Sequence, residues 1–196
     1  MFFSGCAAYA AKFFYKWHRE NALMQEYCLQ AREFGRQNLT ATERPRKIVV
    51  FLNPAAKDGK TKYLLEKHVL PILHLAGLEL HVVRTEHEGQ AKAYMNVIDN
   101  NIVDGIVVAG GDGTLSEVVT GLLRRQDDLA QRIPIGIKPY KWIHSSRNIS
   151  VSTGEILFSG VLPFGNTNSF AEALFPKPEL EVERYCKASM AIVNNR

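Results

Sequence analysis

The chain has 196 residues, the length of one ordinary domain, and a formal net charge of +4. Its 46% hydrophobic and 22% charged residues are close to the average of soluble globular proteins, which excludes a mainly disordered, fibrous or disulfide-stapled protein. The excess positive charge lies within residues 1–47. We therefore expect no nucleic acid partner, since the rest of the chain lacks the basic surface that phosphate backbones need. The three cysteines form no CxxC or Cys/His cluster, so we expect no structural zinc.

Residues 1–17 predict an amphipathic helix. Aromatic and small apolar residues recur at helical spacing, Lys12 and Lys16 share another face, and no acidic residue precedes Glu20. The uninterrupted apolar run is much shorter than the roughly 20 residues that a membrane-spanning helix needs. Three interpretations stay open: a helix lying in a membrane interface, the stub of a membrane helix or organelle-targeting sequence, and a helix packed on the domain. The polar residues 18–40 continue the helix.

In the rest of the chain, four apolar runs alternate with helical patterns. We therefore divide the chain into an N-terminal segment and linker over residues 1–45 and one domain over residues 46–196. Near-continuous apolar strands joined by helices are typical of parallel sheets covered on both faces. We therefore predict an α/β fold with a doubly wound, mostly parallel sheet, preceded by an N-terminal helix. The predicted strands are 47–52, 78–84, 105–109 and 133–137, and the predicted helices are 61–75 (kinked or broken at Pro71), 91–98, 115–122 and 182–192.

Three polar, glycine-bearing segments follow the predicted strands. They are Asn53-Pro54 with Gly59, Gly110-Gly111-Asp112-Gly113-Thr114, and Pro163-Phe164-Gly165-Asn166-Thr167-Asn168. In open α/β sheets, ligands bind beyond the carboxyl ends of the strands. These three segments are therefore expected at one ligand-binding edge.

The segment Gly110–Thr114, called here the glycine loop, predicts a phosphate site. Glycines let backbone amides approach a ligand closely, and the N-terminus of the following helix favours negative charge. Thr114 and Glu117 match a capping box, which predicts that the helix begins at Thr114. The Asp112 carboxylate would repel bare phosphate but assists phosphoryl transfer through Mg²⁺. The alternative is a tight turn between strand and helix without a ligand.

Two familiar nucleotide motifs fail in this sequence. Gly59-Lys60-Thr61 looks like the end of a P-loop, but Pro54 stands where the first glycine is required. Ser116 stands where the dinucleotide-binding fingerprint needs its third glycine. Neither a P-loop NTPase nor an ordinary dehydrogenase is supported.

Together the three loops resemble the catalytic domain of the diacylglycerol kinase family of lipid kinases, which includes sphingosine and ceramide kinases. Residues 48–137 and 161–193 carry the resemblance. The stretches FLNPAAKDGK and IVVAGGDGTLSEVVTGLLRR look like the mitochondrial members that phosphorylate acylglycerols. GGDGT alone is shared with NAD kinases and phosphofructokinases. Its combination with Asn-Pro after the first strand and a Pro-x-Gly-x-x-Asn loop is far more specific.

The resemblance implies a transferase that uses ATP and Mg²⁺ to phosphorylate the hydroxyl of mono- or diacylglycerol, yielding lysophosphatidic or phosphatidic acid. Asp112 would be the catalytic residue of this chain, acting indirectly through Mg²⁺. The resemblance further implies attachment to the mitochondrial inner membrane, facing the intermembrane space, and a second role in a mitochondrial protein-import complex. The residues expected to bind ATP are Asn53, Pro54, Gly59, Thr85, Gly110, Gly111, Asp112, Gly113, Thr114, Glu117, Gly165 and Asn168.

Two features depart from the family pattern. Residues 138–160 separate the fourth predicted strand from the third loop and look like an insertion, which we expect to displace or loosen that loop. The β-rich second domain of the family, which completes the cleft and supplies the general base, is absent from these residues. We therefore expect weak nucleotide binding and no useful turnover. Two other functions stay open: a non-catalytic, membrane-tethered subunit, and an NAD kinase-like enzyme.

Overall fold

The computed structural model describes residues 2–38, 44–99, 103–125, 158–165, 168–176 and 178–194. The strand predicted at 133–137 and most of the predicted insertion lie outside the described residues.

Within the described residues, four parallel strands form one sheet in the order β2-β1-β3-β4. The central strand β1 is buried beyond its first residue, and its Val50 pairs with Val82 of β2 on one side and Val107 of β3 on the other. Such a strand needs apolar side chains on both faces, which explains its continuous apolar run. The strands are β1 (Lys47–Leu52), β2 (Glu79–Arg84), β3 (Gly105–Gly110) and β4 (Phe158–Pro163).

The strand β4 differs from the sequence-based expectation. Residues 158–160, assigned there to the insertion, form the first half of β4 and pair with β3. Gly160 packs so closely on Ile192 that a Cβ atom at this glycine would lie 2.7 Å from the isoleucine side chain. This contact and the pairing with β3 place residues 158–160 inside the domain.

Helices cover both faces of the sheet, which confirms the predicted doubly wound α/β fold. One face carries α1 (Phe2–Asn38), α2 (Thr61–Leu64), α3 (Leu70–Leu75) and α7 (Glu181–Asn194). The other face carries α4 (Gln90–Met95) and α5 (Asp112–Leu123), and α6 (Ser169–Leu174) packs beside β4. The helices α4 and α5 approach closely, since a Cβ atom at Gly121 would lie 2.8 Å from the Lys92 carbonyl oxygen.

Pro71 perturbs the helix that precedes β2 without ending it. Proline has no amide hydrogen for the preceding turn, and its ring clashes with the carbonyl four residues earlier. The backbone responds with a π-helical turn over Leu65–Val69, between α2 and α3. The predicted irregularity is therefore present as a change of helical pitch.

The long helix α1 has two ends with different surroundings. Ala31 is fully buried, and Met24 and Phe34 pack against the core. Phe13 and Trp17, by contrast, are 67% and 48% exposed. None of the helices in the described part of the chain has the length and apolar character needed to cross a bilayer. The second half of α1 thus packs on the domain, and an interfacial role for the first half stays a prediction.

The buried His68 makes the stability of the domain sensitive to pH. Its side chain is 4% exposed, stacks on Tyr185, and its Nδ1 has no hydrogen-bond partner among the described residues. Burial, aided by the Lys67 charge, lowers the pKa of His68 from 6.5 to about 4. The unfolded chain therefore binds a proton that the folded chain does not, and stability falls as the pH drops from 6.5 towards 4.

We expect this group to cost up to about 3 kcal/mol of folding free energy across that interval. Urea unfolding of the wild type and of His68→Phe at pH 7 and pH 4.5 measures the difference. The variant should lose clearly less stability than the wild type, whereas His74→Phe, at an exposed position, should behave as wild type. Equal losses in all three proteins would contradict the assignment.

Candidate functional site

An open cleft of about 820 Å³ lies at the carboxyl edge of the sheet, between the ends of β1 and β2 and the first turn of α5. This volume lies within the range of small-molecule and cofactor sites. Six residues predicted from the sequence line it: Asn53, Pro54, Thr85, Gly113, Thr114 and Glu117. The cleft is also lined by Ala55, Arg84, Glu86, His87, Glu88 and Ser116.

Asn53 connects the first loop to the glycine loop. Its Nδ2 donates to the Thr114 hydroxyl at 3.1 Å, and its Oδ1 accepts from the Ala55 amide at 3.0 Å. The first bond joins residues 61 positions apart, so it exists only because β1 and β3 are neighbours. The second forms a local turn in which the side chain replaces a backbone acceptor. An asparagine at this position therefore sets the shape of the cleft floor.

The helix α5 begins at Asp112, two residues earlier than the capping-box pattern predicts. Gly111 is its N-cap residue in an extended conformation, and the Leu115 amide donates to the Gly111 carbonyl at 3.1 Å. The predicted capping box is wrong because the Thr114 hydroxyl faces Asn53 rather than an amide of its own helix. With the earlier start, the amides of the first turn are free to face a ligand at the cleft.

Two glycines of the predicted ATP set are required by close packing. A Cβ atom at Gly110 would lie 2.8 Å from the Thr114 Oγ1. A Cβ atom at Gly165 would lie 2.2 Å from the Gly111 Cα. The third loop therefore lies directly against the glycine loop. The expected displacement of this loop by the preceding segment does not occur for its described residues.

Asn168 closes the third loop on itself. Its Oδ1 accepts from the Gly165 amide at 2.9 Å, and its Nδ2 donates to the Gly165 carbonyl. The side chain is 7% exposed, so both bonds form away from water. Gly165 and Asn168 lie outside the residues that line the cleft, and their direct contact with a nucleotide stays a prediction.

Asp112 links the glycine loop to the third loop. Its Oδ2 accepts from the Ser169 amide at 2.9 Å, at the start of α6. The carboxylate is half-buried, and the other oxygen, Oδ1, has no hydrogen bond to another described residue. Asp112 is not among the residues that line the cleft, but it directly precedes Gly113, which is. A carboxylate oxygen in this position suits Mg²⁺, which takes one or two carboxylates and completes its shell with phosphate and water. Asp112 is therefore compatible with the predicted indirect magnesium ligand.

Gly59 is not among the residues that line the cleft and lies in a short 3₁₀ turn, Ala56–Gly59. Lys57, Asp58 and Gly59 all have positive φ angles, of 53°, 54° and 79°. An ion pair between Lys57 and Glu181 of α7 holds this turn. Burial by itself raises the pKa of Glu181, but the hydrogen bonds from Lys57 and Tyr185 and the nearby positive charges together outweigh it, so the pKa is lowered. Contact of Gly59 with a nucleotide stays a prediction.

Half of the cleft lining was not predicted from the sequence. Four of the six missed residues lie at or just after the carboxyl end of β2, where only Thr85 was expected. The Thr85 amide and hydroxyl donate to the Leu52 carbonyl at 2.9 and 3.3 Å, which fixes the β1–β2 edge. The rule that ligands bind at strand ends applies to β2 as well and was the available signal.

A model of the diacylglycerol kinase catalytic domain matches residues 47–140. The chain is 37% identical over 187 residues to the mitochondrial acylglycerol kinase of Xenopus laevis, covering 95% of this chain and 38% of the relative. It is 39% identical over 177 residues to the mitochondrial acylglycerol kinase of Homo sapiens, covering 90% and 36%. The chain thus spans less than two fifths of the length of these relatives.

A solved structure supports the fold independently of close sequence similarity. It is a Bacillus anthracis protein assigned as a diacylglycerol kinase, with a TM-score of 0.53 and 22% sequence identity. The superposition covers 79% of this chain and 41% of that protein. The fold agrees with the family match: residues 47–140 of this chain belong to the diacylglycerol kinase catalytic-domain family.

Proposed function

We propose that this chain carries the nucleotide-binding part of an ATP-dependent lipid kinase that phosphorylates the hydroxyl of mono- or diacylglycerol. The observation that carries the proposal is the convergence of Asn53, Thr114 and the first turn of α5 on one cleft of nucleotide size. The family match over residues 47–140 supports the reaction class. The names of the relatives support acylglycerol as the acceptor and a mitochondrial location.

The residues divide into those that face the ligand and those that hold the cleft together. The Gly113 backbone and the Thr114 and Ser116 side chains border the cleft at a helix N-terminus, where positive dipole and free amides favour phosphate. Gly110, Gly165 and Asn168 position the glycine loop through packing and hydrogen bonds. Most of the catalysis in phosphoryl transfer is positioning and charge stabilisation, so both groups are needed.

Mg²⁺ would supply the positive charge that brings the Asp112 carboxylate and the ATP phosphates together. Asp112→Asn tests this role. Asparagine keeps an oxygen that can accept from the Ser169 amide, but it removes the charge that attracts the metal. We expect ATP affinity, measured by calorimetry, to fall in the variant when Mg²⁺ is present. In EDTA it should equal or exceed the wild-type affinity, because the carboxylate then only repels the phosphates.

Asp99→Asn is a matched control, because Asp99 lines a separate pocket at the amino end of the sheet. Turnover is tested with radiolabelled ATP and two acceptors, monoacylglycerol and NAD. We expect little product from this chain, and robust phosphorylation of monoacylglycerol would contradict that expectation. Phosphorylation of NAD would favour an NAD kinase-like enzyme. A non-catalytic subunit would be favoured by two results together. The wild type would not bind ATP, and the Asp112→Asn variant would recover the same partners from mitochondria as the wild type.

We further propose that the first half of α1 lies on an anionic membrane surface. Tyr9, Phe13 and Phe14 are 77%, 67% and 65% exposed, which is unusual for aromatic side chains in a soluble helix. Lys12 and Lys16 lie in the same stretch, and the pair of Lys16 with Glu20 is long, at 3.9 Å. Exposed aromatic residues with nearby lysines are typical of helices that lie in the headgroup region.

A further inference from the structure

We propose that Arg84 binds the phosphate chain of the nucleotide and supplies a positive charge that the other described lining residues of the cleft do not carry; this inference rests on the proposed ATP site. Arg84 is the last residue of β2 and lines the cleft together with Asn53 and Thr114. No sequence motif pointed to it, and its role follows from the charges that the fold places around it.

The lining of the cleft is acidic. Among the described residues that line it, Glu86, Glu88 and Glu117 carry negative charge, and Arg84 is the one arginine or lysine. A nucleoside triphosphate brings several more negative charges into this space. Without a cation on the wall, the lining would repel the ligand that the helix dipole attracts.

Arg84 is also available for a ligand. Its side chain is exposed, and no ion pair joins it to another side chain in the described part of the chain. An arginine in an acidic setting without a fixed carboxylate partner can turn its five donors towards an incoming anion. The planar guanidinium matches the oxygens of phosphate in a bidentate manner.

The backbone of Arg84 is held in place by the sheet. Arg84 pairs in register with Leu52, and the next residue, Thr85, donates twice to the Leu52 carbonyl. Asn53 follows Leu52 directly, and adjacent strands lie about 4.8 Å apart. The arginine therefore starts one strand away from the residue that joins the first loop to the glycine loop.

Calorimetric titration of the 196-residue chain with ATP, inorganic tripolyphosphate and adenosine tests the proposal, at constant Mg²⁺. We expect Arg84→Gln to weaken ATP and tripolyphosphate binding by about tenfold or more, since a hydrogen bond to a charged group is lost. Adenosine affinity should not change. Arg84→Lys should bind ATP and tripolyphosphate with intermediate affinity, because lysine keeps the positive charge but lacks the planar set of donors that binds phosphate in a bidentate manner.

The matched control is Arg124→Gln, which removes an exposed arginine at the opposite end of α5. Raising the salt concentration should weaken ATP binding more in the wild type than in Arg84→Gln. Unchanged ATP affinity in Arg84→Gln, or an equal loss of adenosine affinity, would overturn the assignment to phosphate. A third outcome separates the two proposals. If the chain binds tripolyphosphate through Arg84 but does not bind ATP, the assignment of Arg84 to phosphate stands and the proposed nucleotide site is refuted.

Discussion

Gly165→Ala is expected to destabilise the domain by about 1–3 kcal/mol, the usual cost of forcing an extra group into a packed site. The new methyl group would lie 2.2 Å from the Gly111 Cα and 2.9 Å from the Gly111 nitrogen. Both atoms belong to the backbone, so relief requires the third loop and the glycine loop to move apart. Calorimetry should show a lower melting temperature, by about 2–4 °C for each kcal/mol. ATP affinity should fall as well.

Gly113→Ala provides a matched comparison with the opposite outcome for stability. A Cβ atom at Gly113 meets no atom within 4 Å, and the residue lies in α5, where alanine is the better helix former. We expect an unchanged or higher melting temperature. ATP affinity should nevertheless fall, because the methyl group would stand where the backbone borders the cleft. Equal stability of both variants would contradict the packing of the two loops.

Phe13→Gln combined with Phe14→Gln is expected to weaken binding to anionic phospholipid vesicles by about 100-fold, because burial of two phenyl rings is lost. Both side chains are more than 60% exposed in the free protein, so the change should leave the folded domain intact. Vesicle co-sedimentation measures the binding. Lys12→Gln combined with Lys16→Gln should weaken binding to anionic vesicles, because each lysine acts through the charge of the membrane surface. Binding to phosphatidylcholine vesicles should hardly change.

Leu29→Gln is the control for the membrane surface. Leu29 is also exposed on α1, at 56%, but lies in the half of the helix that packs on the domain. Its substitution should not change vesicle binding. The proposed membrane role fails if the wild type does not sediment with anionic vesicles, or if the phenylalanine variant binds as tightly as the wild type.

Local features of the sequence predicted the elements that depend on local physics. The strands β1, β2 and β3 appear within one residue of their predicted ends. For β1 and β3 the reason is burial on both faces, which requires a continuous apolar run. Pro71 correctly predicted an irregular helix, because its missing amide hydrogen acts within one turn. The start of α5 was wrong by two residues, since the choice between Gly111 and Thr114 as N-cap depended on Asn53, far away in the chain.

The sequence by itself determined that three polar loops meet at the carboxyl edge of a parallel sheet, because strand period and crossover rules follow from short stretches of residues. Only the tertiary structure decided how those loops contact one another. The bond between Asn53 and Thr114, the packing of Gly165 on Gly111 and the pairing of residues 158–160 with β3 join residues about 50–60 positions apart. Arg84 lines the same cleft as Asn53 and Thr114 for the same reason: strand order, rather than neighbouring sequence, places β2 beside β1.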